Sequence, residues 1–154
     1  MRDFGEADKK KKSARIKIPE NPAGLSAEAL AELADKVKAS LKEGNLQCGT
    51  AWKIARESEV PRIAVGEITD RLGIRVSNCQ IGCFKVDKII NEADADKKVD
   101  EAVLSRIETL NSKGELTCTS VHELALEMKM TPMAVANVAN ARSLRIRQCQ
   151  LGCF

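Results

Sequence analysis

The chain of 154 residues has no tyrosine, a single tryptophan (Trp52), a single histidine (His122) and only 3% aromatic residues. With no second histidine, no nucleophile beside a base and no glycine-rich phosphate loop, the sequence argues against an enzyme and a small-molecule substrate. His122 reads as a packed or half-exposed helix residue. No apolar run approaches the roughly 18 residues that a membrane span needs, so no membrane is expected as a partner. The N-terminus lacks the apolar stretch of a secretory signal, which predicts a cytoplasmic chain whose six cysteines are reduced.

What the sequence does contain is a second copy of itself. Residues 44–84 match residues 114–154 without a gap, most visibly where Cys79-Gln80-Ile81-Gly82-Cys83-Phe84 returns as Cys149-Gln150-Leu151-Gly152-Cys153-Phe154. Ile54, Ile68, Ile74 and Val76 fall on Leu124, Val138, Leu144 and Ile146, so the apolar pattern repeats as well as the letters. This is the signature of a duplicated domain. The predicted organisation is a disordered basic arm over 1–22, one repeat over 23–84, a linker over 85–97 and a second repeat over 98–154. The net charge of +3 is concentrated in the arm: seven cations and three anions lie within residues 1–18, including Lys9, Lys10, Lys11 and Lys12, and the rest of the chain sums to −1. Such an arm suits phosphate, an acidic partner or simple solubilisation.

Each repeat reads as three helices with short strands, which makes the fold class mainly α with small β (α+β). Ser26 is placed to cap a helix whose apolar residues Leu30, Leu33, Val37 and Leu41 step by three and four, with a stop at Lys42-Glu43-Gly44. A short extended piece at Leu46-Gln47-Cys48 precedes a helix over Thr50 to Ser58, which Val60-Pro61 breaks. A third helix runs to Leu72, and the alternation over Ile74 to Asn78 indicates a strand. The second repeat follows the same plan, with Thr131-Pro132 as a marked helix start.

Ile54, Ala55, Val60, Val65 and Ile68, and again Leu124, Ala125, Met130, Val135 and Val138, stand at the spacing of a helix-turn-helix. With a short strand before and another after, each unit resembles a winged-helix domain over about residues 26–84 and 98–154. Glu59 and Lys129 occupy the turn position that usually carries glycine. The resemblance implies a nucleic-acid-binding protein, with the third helix presented to the major groove and the first strand paired with the strand after that helix. In the first copy that helix would turn Arg62, Glu67, Thr69, Asp70 and Arg71 outward, a mixed and nearly neutral set. The second copy offers Asn137, Asn140, Arg142, Arg145 and Arg147, residue types that pair with adenine, guanine and phosphate. DNA is therefore the expected partner, with these five residues and Lys9 to Lys12 as contacts.

The six cysteines fall as two trios, Cys48, Cys79 and Cys83, then Cys118, Cys149 and Cys153. The implied strand pairing would bring the first cysteine of each trio near the start of its terminal motif. Were the motif extended, its two cysteines would lie about 13 Å apart at their α-carbons; a glycine at positive φ would fold the backbone back and let the sulfurs converge. Three readings then compete: ligands for zinc or an iron–sulfur cluster, a dithiol that closes on oxidation, and small side chains filling the core. Together the sequence suggests a non-enzymatic DNA-binding regulator with cysteine-based metal or redox sensing. The competing expectation is a protein-interaction or metal-handling module that uses the trios.

Overall fold

A computed structural model of the chain describes residues 18–83 and 101–153; most of the basic arm, the linker, Phe84 and Phe154 lie outside the described residues. The described elements are six helices and one two-stranded sheet: α1 (Ala27–Ala39), β1 (Asn45–Gln47), α2 (Cys48–Glu57), α3 (Arg62–Arg71), β2 (Arg75–Ser77), α4 (Glu101–Ser112), α5 (Cys118–Glu127) and α6 (Pro132–Ala141). The mainly helical α+β character expected from the sequence is what is observed.

Local chemistry explains most element ends. Ser26 Oγ accepts the Ala29 N–H at 3.2 Å and starts α1, whose Leu33 and Val37 are buried one turn apart. The helix ends at Ala39, short of the stop expected at 42–44. Residues 42–45 instead form a tight turn in which Lys42 and Asn45 exchange two backbone hydrogen bonds of 2.9 Å, with Glu43 and Gly44 at φ of +51° and +76°. Two successive positive φ values match the right-handed twist of a two-residue loop and feed the chain straight into β1. Thr117 and Ser120 form a reciprocal capping box at the start of α5, and Thr131 caps α6 with Pro132 behind it.

In each copy two consecutive helices are joined by a tight turn. α2 leads into α3 and α5 into α6 through turns in which Glu59 and Lys129 each sit at φ +53°. The left-handed conformation is thus kept without glycine, at a cost of about 1–2 kcal/mol per residue. In compensation, each turn satisfies two orphan carbonyls: the Val60 and Met130 N–H groups donate to Ala55 and Ala125 at 3.0 and 2.9 Å, and Glu59 and Lys129 donate to Arg56 and Leu126.

β1 pairs with β2, in the parallel sense, with Asn45, Leu46 and Gln47 opposite Arg75, Val76 and Ser77. The second copy reduces this pairing to a single parallel bridge, Thr117 to Arg147. Parallel neighbours require a crossover, here made by two helices, whereas a wing hairpin is antiparallel. Among the described residues, the only antiparallel pairing is the bridge Lys42 to Asn45. A parallel two-strand clip therefore closes the first helix pair, and a single parallel bridge the second.

The described residues divide into two compact units whose composition departs from the sequence repeat. The first comprises residues 18–79 together with 149–153; the second comprises 80–83 and 101–148. The end of the second copy thus completes the first unit. Leu33, Val37, Leu46, Ile54, Val65 and Ile68 form its core together with Cys149 and Leu151, the latter only 2% exposed. In the second unit Val103 and Ile107 of α4, Val121 and Leu124 of α5 and Val135 of α6 are buried, and Ile81 of the earlier motif is fully buried. Arg106 of α4 meets Glu127 of α5 in a bidentate pair at 2.7 and 2.9 Å, which raises the arginine pKa and lowers that of the carboxyl, through the hydrogen bond first and the charge second. Both groups are exposed, and such pairs add little to stability.

Candidate functional site

The third helices of the two units present different surfaces. In α3, six consecutive residues from Ala64 to Thr69 are buried, a pattern that only a helix covered on most sides can show. The cover is the terminal segment: a β-carbon on Gly66 would overlap the Leu151 carbonyl oxygen and stand 2.7 Å from its carbon. At the start of the same helix, Arg62 donates to the Gln150 side-chain oxygen and lies over the Trp52 ring, 3.4 Å from its centroid. Glu67 and Thr69, expected to face outward, are buried instead. Glu67 accepts three hydrogen bonds of 2.8–3.0 Å from Arg71, and the Thr69 hydroxyl donates to the Val65 carbonyl at 2.6 Å. A face so occupied is not available to a groove of DNA. Its sequence signal was Gly66, a glycine inside a helical pattern, which implies close backbone approach.

α6 is different. Val135, Ala136, Val138 and Ala139 point inward, and Asn137 and Asn140, three residues apart on the opposite side, are exposed. Beyond Arg142, at the C-cap, Ser143 turns the chain at φ +57° into an extended run. There the Arg147 N–H donates to the Leu116 carbonyl and the Arg147 carbonyl accepts from Cys118, both at 3.0 Å. With that backbone held, alternation buries Ile146 and exposes Arg145 and Arg147 on the other face. Among the described residues none of these three arginines has an ion-pair or side-chain hydrogen-bond partner, in contrast with Arg62, Arg71 and Arg106, each of which is engaged. Residues 128–154 contain no Asp or Glu, whereas they include Lys129, Arg142, Arg145 and Arg147. All five residues that the sequence singled out here are on the surface. Lys9 to Lys12 lie outside the described residues.

The cysteines are redistributed by the composition of the units. Cys48, Cys79, Cys149 and Cys153 belong to the first, and Cys83 and Cys118 to the second. Neither sequence trio therefore sits within a single unit, and among the described residues no group of three or more Cys, His, Asp or Glu side chains is arranged to hold a metal. The expected ligand sets, Cys48, Cys79 and Cys83 and again Cys118, Cys149 and Cys153, are each divided between the two units, because the first motif is split between them after Cys79 and the second belongs to the first unit. Cys48, Cys79, Cys118 and Cys149 are buried, Cys153 is half-buried, Cys83 is exposed, and none of the six is in a disulfide.

The fold-back expected of the glycine does occur. Gly82 and Gly152 have φ of +72° and +74°, and Asn78 and Gln148, just before each motif, are also at positive φ. Around Cys149 the backbone closes a turn, with the Gly152 N–H donating to the Cys149 carbonyl at 2.9 Å. The Cys149 sulfur accepts from the Cys153 thiol and from the backbone N–H groups of Cys153 and Leu151. The Cys153 thiol is the main reason its pKa falls from 9.0 to about 7, against burial and the neighbouring Cys79, which push it up. His122 is half-buried on α5. Among the described residues no helix is long and apolar enough to cross a membrane. No family model, curated protein or solved structure gives a match to this chain.

Proposed function

We propose that the protein is a non-enzymatic nucleic-acid-binding regulator that contacts duplex DNA through α6 and the extended run that follows it. The observation that carries this reading is the exposure of Arg142, Arg145 and Arg147 without side-chain partners among the described residues, together with exposed Asn137 and Asn140 on α6, in a stretch from 128 to 154 that has no Asp or Glu. Unpaired arginines gain most from phosphate, since binding breaks no existing ion pair. The two asparagines supply the side chain that reads adenine in the major groove, and the helix carrying them is the second of a helix-turn-helix, the element that enters that groove. The alternative, a scaffold for zinc or an iron–sulfur cluster, needs three or four converging ligands, and the grouping of the thiols does not favour it.

Fluorescence anisotropy with labelled random-sequence duplexes tests the proposal. Affinity is expected to fall steeply with salt, and the triple change of Arg142, Arg145 and Arg147 to Ala is expected to weaken binding about 100- to 1,000-fold near 0.1 M salt while flattening the salt slope by about three. Binding that ignores salt, or that survives the triple change, contradicts it.

A further inference from the structure

We propose that Cys149 and Cys153 are a reversible redox pair that closes to a disulfide across the loop 149–153 on reaction with a small disulfide of the glutathione class. The shape of the loop favours closure whether or not the protein binds nucleic acid. Five residues in extended conformation would hold the two α-carbons about 13 Å apart, beyond the roughly 7 Å limit for a bridge. Gln148 at φ +53°, the turn from Cys149 to Gly152 and Gly152 at φ +74° bend the segment so that one thiol donates a hydrogen bond to the other sulfur. The bend is fixed from outside as well as within. Leu151 is anchored in the core, its carbonyl abuts Gly66, and Arg62 holds Gln150.

The two thiols differ in the way such a pair requires. Cys153 is half-buried and open to a small oxidant, whereas Cys149 is 8% exposed and shielded from one. The thiolate of Cys153, its proton lost to solvent, attacks one sulfur of the small disulfide, forming a mixed disulfide and releasing the first small thiol, which takes up a proton. The Cys149 sulfur, held against Cys153 and favoured as thiolate by the N–H groups of Leu151 and Cys153, then attacks the Cys153 sulfur. The second small thiol leaves with the proton from Cys149. Two protein thiols are oxidised to one disulfide and one small disulfide is reduced to two thiols, so atoms and electrons balance. Cys79 neighbours Cys149 but is buried, which directs the oxidant to Cys153.

The sequence allows a clean test, because cleavage after Arg147 releases residues 148–154, which contain both cysteines and no others. The reduced full-length protein is equilibrated anaerobically with oxidised and reduced glutathione, quenched with acid, alkylated, digested with trypsin and weighed. The expected peptide is two hydrogens lighter than its reduced form and takes up no alkylating agent, and excess reduced glutathione restores it. Cys153→Ser, a half-buried and nearly isosteric change, is expected to abolish that species. A peptide that remains fully alkylatable in oxidised glutathione overturns the proposal. So does one that stops as a glutathione adduct, or one linked to the peptide bearing Cys79. The wild-type peptide alone decides if the variant folds poorly.

Discussion

Replacing Leu151 by Ala is expected to lower the stability of the first unit by about 2–5 kcal/mol, the range for removing a buried leucine side chain without full collapse of the cavity. Leu151 is 2% exposed and packs with Leu33, Val37, Leu46, Ile54, Val65 and Ile68, residues more than 80 positions earlier in the chain. The sequence supplies its own reporter, because the single tryptophan, Trp52, packs against that same core. Urea unfolding followed by Trp52 fluorescence is expected to shift its midpoint down by about 1–2.5 M, taking a slope of about 2 kcal/mol per molar for a domain of this size. Were the motif to close its own repeat instead, the Trp52 transition would be insensitive to residue 151, and an unchanged midpoint would contradict the composition of the first unit.

The second large effect is expected at Gly66. Its α-carbon faces the Leu151 carbonyl so closely that any side chain meets backbone, and backbone cannot rotate aside as the tip of a side chain can. Gly66→Val must push the terminal segment off α3. The cost is about 1–3 kcal/mol for overpacking, added to whatever part of the Leu151 burial is lost. Gly49 provides the control, since a β-carbon there meets no atom within 4 Å. In α2, Gly49→Ala is expected to be neutral or to stabilise by up to about 1 kcal/mol through helix propensity. Hydrogen exchange at residues 149–153 should accelerate strongly in Gly66→Val and stay at the wild-type rate in Gly49→Ala. Equal rates in both variants would mean that α3 does not hold the segment.

The legible part of the fold was local. Leu33 and Val37 at helical spacing, Ser26 as cap, Thr131-Pro132 as helix start and the buried faces of the paired helices all follow from period and side-chain chemistry. Element ends were harder where turn chemistry was atypical. Glu59 and Lys129 adopt a left-handed conformation that nothing in their side chains announces, and α1 stops at Ala39 because a two-residue loop at 43–44 takes the chain over. The exposed set on α6 was legible because a helix with Val135, Val138 and Ala139 inward must turn Asn137 and Asn140 outward. The cysteine clusters were not legible. A gapless repeat gives the register of each motif but not which core receives it, since Ile81 and Leu151 are interchangeable in size and polarity. Only Gly66, where the second copy has Ala136, hinted that the two third helices are covered differently.

That difference also organises the proposed function, with one third helix sealed beneath Leu151 and the other displaying asparagine and arginine. The most direct test is hydrogen exchange on the full-length protein at low salt, with and without saturating random-sequence duplex. Added protection is expected across residues 137–147, with no change over 62–71. Protection over 62–71 in its place, or none anywhere at saturating duplex, would contradict it.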